Sequence, residues 1–433
     1  MAELKTVAFH TLGCKLNFSE TSSLSRILEN EGFEKREFDD QADVYVINTC
    51  SVTENADKEC RYLVRSIQRK SPESLVVITG CYAQLKPKEI AEIPGVNLVL
   101  GAAEKFNIAQ HIRELATGDS AKICSCDIEE VSGFHSSYSL NDRTRAFLKV
   151  QDGCDYNCSF CTIPAARGKS RSDTIEHVVS NVKKLAASGA KEVVLTGINL
   201  GDFGPPDSRR EDYKEPAVAR KENFFSLINE LDKIEGIQRY RISSIEPNLL
   251  TNEIIEFVAN SDKFMPHFHV PLQSGSNVIL GMMRRRYRKE LYAERVKLIR
   301  TLMPHCAIGA DVIVGFPGET EDHFKETFDF LHSLDISYLH VFTYSERDNT
   351  HALTLGHVVP KRVRHERNAT LRNLSYMKMQ YFTEQHAGQN RKVLFERQGK
   401  GIMMEGYTDN YIRVTAPYQE ALVNNIVDWK IYA

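Results

Sequence analysis

The sequence predicts an α/β protein of three domains: a parallel α/β domain, then a partial (β/α)6 barrel, then a small antiparallel β-barrel. Three observations carry this. Apolar, β-branched runs alternate with helical patterns through the first third of the 433 residues, which implies a parallel sheet covered by helices. Six further strand-like runs, with helical segments after them, fill the middle. After Arg391 the pattern changes to short alternating strands split by Gly, Asp-Asn and Pro. The expected limits are 1–118, a polar linker at 119–143, 144–374 and 375–433.

The first strands are expected at Thr6–Thr11, Asp43–Thr49 and Leu75–Thr79, with helices at Ser19–Asn30, Thr53–Lys70 and Pro87–Ala91. Each strand runs into a cysteine: Cys14 in TLGCKLN, Cys50 in NTCSVTEN and Cys81 in TGCYAQ. Ligands gather outside the carboxyl ends of strands in open α/β sheets, so these three residues are expected to meet at one edge. Ordinary buried thiols are the plainer reading. Three at equivalent strand ends point instead to a cluster held by three thiolates, favoured by the helix N-termini that follow. Cys60, ten residues past Cys50, lies about 15 Å along a helix axis and reads as core packing. Cys124 and Cys126 fall in the polar connection and read as incidental.

The stretch QDGCDYNCSFCTIPAARGKSR, from Gln151 to Arg171, follows the first strand of the middle domain. It carries Cys154, Cys158 and Cys161 as C-x3-C-x2-C. Thiolates bind soft metals, and three within eight residues can hold one centre from a single loop. A 4Fe–4S cluster so held keeps one iron open for chemistry. Half of a structural zinc site is the alternative, but zinc needs a fourth ligand and the next cysteine is Cys306.

The six strands of the middle domain are expected at Arg145–Gln151, Glu192–Ile198, Arg239–Ile245, Phe268–Gln273, Ala307–Phe316 and Tyr338–Ser345. Asp173 and Glu176 suggest a capping box on the first helix, which Gly189 ends. The working end of such a barrel is the C-terminal rim of its strands. Polar residues cluster there: Thr196, Gly197 and Asn199; Ser243, Ser244 and Glu246; Gln273 and Ser274; Asp311 and Gly315; Tyr344 and Ser345. Together they could serve a polar ligand through hydroxyls, amides, carbonyls and an acid, although polar strand ends are also ordinary loop starts. His267 and His269 share one strand face and are expected to line the barrel rather than bind metal. Gly204 to Glu222 reads as a solvated surface insertion.

Hydrophobic residues make up 42% of the chain, enough for real cores, and net charge is only −3. No apolar run of about 18 residues appears, so no membrane span is expected. The stretch MAELKTVAFHTLGC lacks an export signal, and ten cysteines then point to a reducing, cytoplasmic setting. Positive charge is concentrated in two windows. Arg284 to Arg300 and Lys361 to Lys392 each hold eight Lys/Arg against two Glu. The second is helical, with Val363, Leu371, Leu374, Met377 and Tyr381 on one face and Arg362, Arg364, Arg372 and Lys378 expected outward. A polyanion partner fits both windows, as does a solvated helix face. The final strands read as a five-stranded barrel near the OB type, a shape often used on nucleic acid.

The cysteine loop resembles that of radical S-adenosylmethionine (SAM) enzymes. TLGCKLN, INTCSVT, GCYAQ, QDGC, LTGINLGDFG, RISSIEPNLL, HFHVPLQSGS and GADVIVGFPGET together are similar to the methylthiotransferases of that superfamily, nearly end to end. They are most similar to the branch that modifies N6-threonylcarbamoyladenosine beside the anticodon of tRNA. Three departures stand out: Ala165 and Ala166 where an aromatic is usual, a longer insertion after Gly204, and Thr196-Gly197 in place of a Gly-Gly-Glu-type motif.

The resemblance implies a radical SAM core and a C-terminal TRAM domain. It implies a 4Fe–4S cluster on Cys154, Cys158 and Cys161 that binds SAM and yields a 5′-deoxyadenosyl radical. It also implies a second 4Fe–4S cluster on Cys14, Cys50 and Cys81 that presents sulfur. SAM contacts are then expected from Thr196, Gly197, Asn199, Ser243, Glu246, Gln273, Ser274, Asp311 and Gly315. Arg284, Arg285, Arg286, Arg288, Lys289, Arg364, Arg372 and Lys378 are expected on the tRNA anticodon arm. An electron donor such as a flavodoxin or ferredoxin and a sulfur donor are expected partners. Sister branches acting on N6-isopentenyladenosine or on a ribosomal-protein aspartate stay open, as does a non-catalytic iron–sulfur carrier with an RNA-binding tail.

Overall fold

The computed structural model describes residues 5–50, 54–115, 121–131, 133–140, 144–204, 221–396 and 402–432. They form two compact units. The first holds residues up to Ser139, Phe147–Tyr156 and Thr162–Arg171; the second holds Leu140–Ala146, Asn157–Cys161 and Ser172 onward.

In the first unit the chain runs β1 (Thr6–Thr11), α1 (Lys15–Asn30), β2 (Glu34–Arg36), β3 (Val44–Thr49), α2 (Glu54–Lys70), β4 (Leu75–Gly80), α3 (Cys81–Leu85), α4 (Pro87–Ala91), β5 (Leu98–Leu100), α5 (Ile108–Arg113) and β6 (Lys122–Cys124). The strands pair in parallel in the order β2-β1-β3-β4-β5-β6. Strands covered on both faces read as continuous apolar runs, and β3 is buried throughout. Alternate side chains serve two cores. Tyr45, Ile47, Val76 and Ile78 pack with Leu63, Val64 and Ile67 of α2. Val44, Val46 and Val77 pack with Leu24 and Leu28 of α1 and Ile108 of α5. The order reverses between β1 and β3, and a crevice opens outside the strand ends at such a switch point. Cys14 and Cys50 follow these two strands. Next come β7 (Ser137–Tyr138), paired antiparallel with the end of β8 (Arg145–Lys149), and then β9 (Gln151–Asp152), α6 (Ile163–Arg167) and β10 (Arg171–Ser172).

The second unit continues with α7 (Ile175–Ala187), β11 (Glu192–Thr196), α8 (Phe224–Asp232), β12 (Arg239–Ile242), α9 (Asn252–Asn260), β13 (His267–His269), α10 (Asn277–Met282), α11 (Lys289–Leu302), β14 (Ala307–Val314), α12 (Glu321–Ser333) and β15 (Tyr338–Thr343). β11 pairs with β12, and β13, β14 and β15 pair in turn, all parallel. A parallel bridge from Tyr240 to Phe264 joins the two sets. The long helix α13 (Lys361–Glu384) then lies along β15, where Ser375 bonds both the N–H and the carbonyl of Leu339. The last strands, β16 (Asn390–Phe395), β17 (Met403–Thr408), β18 (Arg413–Pro417) and β19 (Ile426–Lys430), form an antiparallel sheet in the order β18-β17-β16-β19.

Charges at the N-terminal ends of the barrel strands hold this last sheet. Glu192 is fully buried against Arg241 at 2.8 Å and Arg239 at 3.6 Å. Those arginines donate onward to the carbonyls of Lys392, Tyr407, Thr408 and Asp409. Removing one partner of a buried ionic network strands the others. Glu192→Ala is therefore expected to lower the unfolding free energy by about 3–5 kcal/mol, read by urea denaturation.

Several expectations need correction. The polar stretch 119–143 supplies β6, which extends the first sheet, and β7. The limit at 374/375 falls inside α13. Four final strands are present among the described residues where five were expected. Thr174, not Asp173, caps α7; its hydroxyl accepts the N–H of His177, while Asp173 bonds the His177 ring. The insertion from Gly204 to Glu222 lies mostly outside the described residues. Among the described residues, no helix is long and apolar enough to cross a membrane.

Candidate active site

Two glycines bring the strand-end cysteines of the first unit together. Gly13 has φ +101°, and a Cβ on it would lie 2.9 Å from Cys50 Sγ. Gly80 has φ +98°, and its Cβ would lie 2.3 Å from the Thr49 carbonyl. Only glycine combines a positive φ with so close an approach. Buried Asn17 ties the same loops, donating to the carbonyls of Leu12 and Thr49 at 2.9 Å each. Cys14 caps α1, where the helix end favours a thiolate. Cys60 is fully buried and its thiol is pushed up to about 12 by burial, as core packing requires.

Beside these cysteines lies a buried group of charges that does not balance. Glu20 meets Lys105 at 2.7 Å, Lys149 at 2.9 Å and Arg167 at 3.2 Å. Asp152 meets Arg167 at 2.9 Å, Lys149 at 3.3 Å and Arg171 at 3.4 Å. Four cations thus face two carboxylates, and Arg167 also donates to Asn17 at 2.5 Å. Burial works against the Arg167 charge, but Cys81, Glu20, Asp152 and Cys14 more than offset it and hold the guanidinium protonated. Burial pushes the Cys81 thiol up, with Arg167 opposing. A small cavity opens here, lined in part by Gly80, Cys81, Lys105 and Arg167. Buried charge without a counter-ion is costly. The surplus fits an anionic group on Cys14, Cys50 and Cys81, such as a cluster held by three thiolates.

The barrel loop is anchored residue by residue. Cys154 N–H bonds the Gly168 carbonyl, and Gly153, at φ +70°, leaves no room for a Cβ beside Lys169. Ser159 bonds Met282 and Met283, and Phe160 packs edge-on to Phe316. Cys158 is buried, which pushes its thiol up, while Arg285 opposes this from 3.2 Å. Arg285 also pairs with Glu246, whose carboxyl is pushed up by burial. The Glu246 N–H in turn reaches Asn199 Oδ1.

Arg285 therefore sits at the cysteine loop and not on an RNA surface. Its place in the run RRRYRK hid this, because a helix-free turn at Arg284 (φ +57°) buries one arginine and exposes the next. Cys306, the possible fourth thiolate for zinc, is fully buried and pushed up to about 12 by burial. Among the described residues no three cysteines lie at the spacing of ligands to a single metal ion.

The other expected contacts divide. Thr196 and Ser243 are buried near the ends of β11 and β12, with Gly197 next in the chain. Gln273 adopts φ +69° and bridges to Val312. Gly315 has φ +76°, donates to Glu319, and would place a Cβ 2.3 Å from Arg364 Cγ. Ser274 is turned instead to Thr327 of α12, and Asp311 is engaged by His269 at 2.8 Å. Arg364, expected outward, is buried and donates to the carbonyls of Val359 and Tyr344 and to Glu346. A forked guanidinium can satisfy several carbonyls at once, so helical periodicity misplaces it. Lys378 is half-buried against the Leu334 carbonyl, and Lys289 pairs with Glu326. Arg284, Arg286, Arg288 and Arg372 are exposed.

Residues 6–101 match the family described as Uncharacterized protein family UPF0004, and residues 148–331 match the Radical SAM superfamily. A curated relative from Bacillus subtilis, Threonylcarbamoyladenosine tRNA methylthiotransferase MtaB, is 40% identical over 439 residues, covering 99% of this chain and 94% of its own. The chain belongs to the radical SAM methylthiotransferase family. A relative of the same name from Aquifex aeolicus is 40% identical, with 93% of this chain and 95% of its own covered. A tRNA-2-methylthio-N(6)-dimethylallyladenosine synthase from Clostridium botulinum is 33% identical, with 82% and 78% covered. In fold, this methylthiotransferase is similar to the radical SAM methyltransferase TsrM from Kitasatospora setae. The TM-score is 0.55 at 16% identity, over 79% of this chain and 75% of that one. Membership makes the protein an enzyme and implies a 4Fe–4S cluster and SAM.

Proposed function

We propose that this methylthiotransferase acts on tRNA, replacing the hydrogen at C2 of N6-threonylcarbamoyladenosine with a methylthio group. The single observation that carries the two-centre reading is that each cysteine set has its own buried arginine. Arg167 stands by Cys14 and Cys81, and Arg285 stands by Cys158. The substrate follows the names of the relatives that match nearly end to end.

Cys154, Cys158 and Cys161 would hold the cluster that takes SAM, and Cys14, Cys50 and Cys81 the second. The C2–H bond is beyond any side-chain base near neutral pH. When bound, the clusters and SAM supply the one-electron chemistry that opens it, and the sulfur and methyl group that replace its hydrogen. The protein's own residues bind and position. Arg285 offsets thiolate charge at Cys158 and fixes Glu246 against Asn199. Thr196, Gly197, Ser243, Gln273 and Gly315 line strand ends suited to the SAM nucleoside. Arg167 and Lys105 compensate negative charge at the second set. An electron donor of the flavodoxin or ferredoxin class and a separate sulfur donor complete the reaction.

Exposed Arg284, Arg286, Arg288 and Arg372 are the residues expected to meet tRNA phosphates. Changing Arg284, Arg286 and Arg288 to Gln is expected to weaken tRNA binding and to reduce the slope of log K against log salt by up to about 2. An unaltered slope would place the RNA elsewhere. The function itself is tested by incubating the reconstituted enzyme with SAM, dithionite, sulfide and threonylcarbamoyl-bearing tRNA, then analysing nucleosides by mass spectrometry. A methylthio product supports the reading. Absence of both product and 5′-deoxyadenosine would leave an iron–sulfur carrier.

A further inference from the structure

The register of β13, β14 and β15 sets His269 opposite Gly309, and Asp311 opposite His340. Strand alternation then puts His269, Asp311, His340 and Phe342 on one face. The other face carries Phe268, Val270, Ile308, Ala310 and Val312, all buried, and Tyr292 of α11 bonds the Val270 carbonyl on that side. With helices on that face, the first is the barrel's inner one. A closed barrel fills its interior with side chains. Here the His340 side chain is 56% exposed and Phe342 is 41% exposed. The interior is open.

Polar chemistry is concentrated on this open face. His269 Nε2 lies 2.8 Å and His340 Nδ1 3.4 Å from the same Asp311 oxygen. Sharing that carboxylate accounts for the close spacing of the three groups without an ion. With Nδ1 turned to Asp311, the Nε2 of His340 is on the far side of the ring, and among the described residues it has no hydrogen bond. Asp311 lies four residues before Gly315, about 13 Å deeper than the strand end at 3.3 Å per residue. It is below the rim where the cysteine loop and the nucleoside-binding residues sit.

We infer that His340, oriented by Asp311 and His269, is a specificity-determining residue that binds the carboxylate of the threonyl group on N6 of the substrate. This deepens the substrate reading given above and rests on it. A threonylcarbamoyl group ends in a carboxylate and a hydroxyl. Set between the Asp311 and substrate carboxylates, the His340 imidazolium donates Nδ1–H to Asp311 and Nε2–H to the substrate carboxylate, and the other Asp311 oxygen accepts from the hydroxyl. An isopentenyl group offers neither, and its entry would bury His340 Nε2 and the second Asp311 oxygen without partners. Sites built to bond a polar substrate group reject an analogue lacking it far more strongly than apolar pockets discriminate by shape.

The test compares two anticodon stem-loops, one bearing the threonylcarbamoyl group and one bearing its carboxamide, with the reconstituted enzyme. Wild type is expected to lose about 10- to 100-fold in kcat/KM on the carboxamide, which keeps a carbonyl acceptor but not the charge, chiefly in KM. His340→Phe is expected to treat both alike at the lower level, and His340→Gln, which keeps an N–H, to recover part of the preference. Equal wild-type activity on both would overturn the inference. So would a His340→Phe enzyme that keeps the wild-type ratio, because a general folding defect lowers both rates and leaves their ratio. If wild type processes another modified adenosine but not the threonylcarbamoyl stem-loop, the substrate reading itself fails, and this inference with it.

Discussion

Replacing Cys154, Cys158 and Cys161 by alanine is expected to abolish 5′-deoxyadenosine release while leaving about four irons per chain. The size of the effect follows from geometry. The loop is held by bonds that do not involve the thiols: Ser159 to the carbonyl of Met282, Phe160 against Phe316, and Cys154 N–H to Gly168. The triple variant should therefore fold. What disappears is the proposed ligand set, whose Cys158 faces Arg285, and Cys306 does not stand in for it because it is sealed in the barrel core. Iron analysis and chromatography of nucleosides read the two quantities separately. Residual 5′-deoxyadenosine would mean that SAM is opened somewhere else.

The second large effect is expected at Arg167. Its guanidinium contacts Glu20, Asp152 and Asn17, all buried. Arg167→Met removes three polar contacts at once and loosens Asn17, which ties the Cys14 and Cys50 loops. A loss of about 3–5 kcal/mol in unfolding free energy is expected from breaking such a network. It should come with loss of iron from the N-terminal set and of methylthio product. Arg167→Lys keeps the charge but not the fork, and should restore stability more fully than iron content. If Arg167→Met keeps full iron, the cation surplus serves folding alone.

Much of the fold was legible in the sequence because each signal was local. β-branched runs gave β1, β3, β4 and all six barrel strands to within a few residues, and Cys14 and Cys50, placed just after β1 and β3, flank a switch point of the first sheet. Short or charged strands were not legible. Glu34–Arg36 is exposed at all three positions, and Lys122–Cys124 sits in a polar stretch, so neither shows an apolar run. Arginines were the larger difficulty. Arg285, Arg364, Arg239 and Arg241 look like surface charge in sequence but are buried. Each finds a carboxylate or several carbonyls supplied by distant segments, Glu246 for Arg285 and the 407–409 carbonyls for Arg239 and Arg241. Only tertiary structure brings these together. His340 was missed for the same reason: its significance comes from register with Asp311, 29 positions earlier in the chain.

Mössbauer spectroscopy of the reconstituted protein tests the two-centre account most directly. Wild type should show about eight irons in two 4Fe–4S clusters, each with one iron distinguishable from its three thiolate-bound neighbours. The variant lacking Cys14, Cys50 and Cys81 should keep one such cluster, which still responds to SAM. A wild-type spectrum with one cluster, or with every iron bound to a cysteine, would contradict the account.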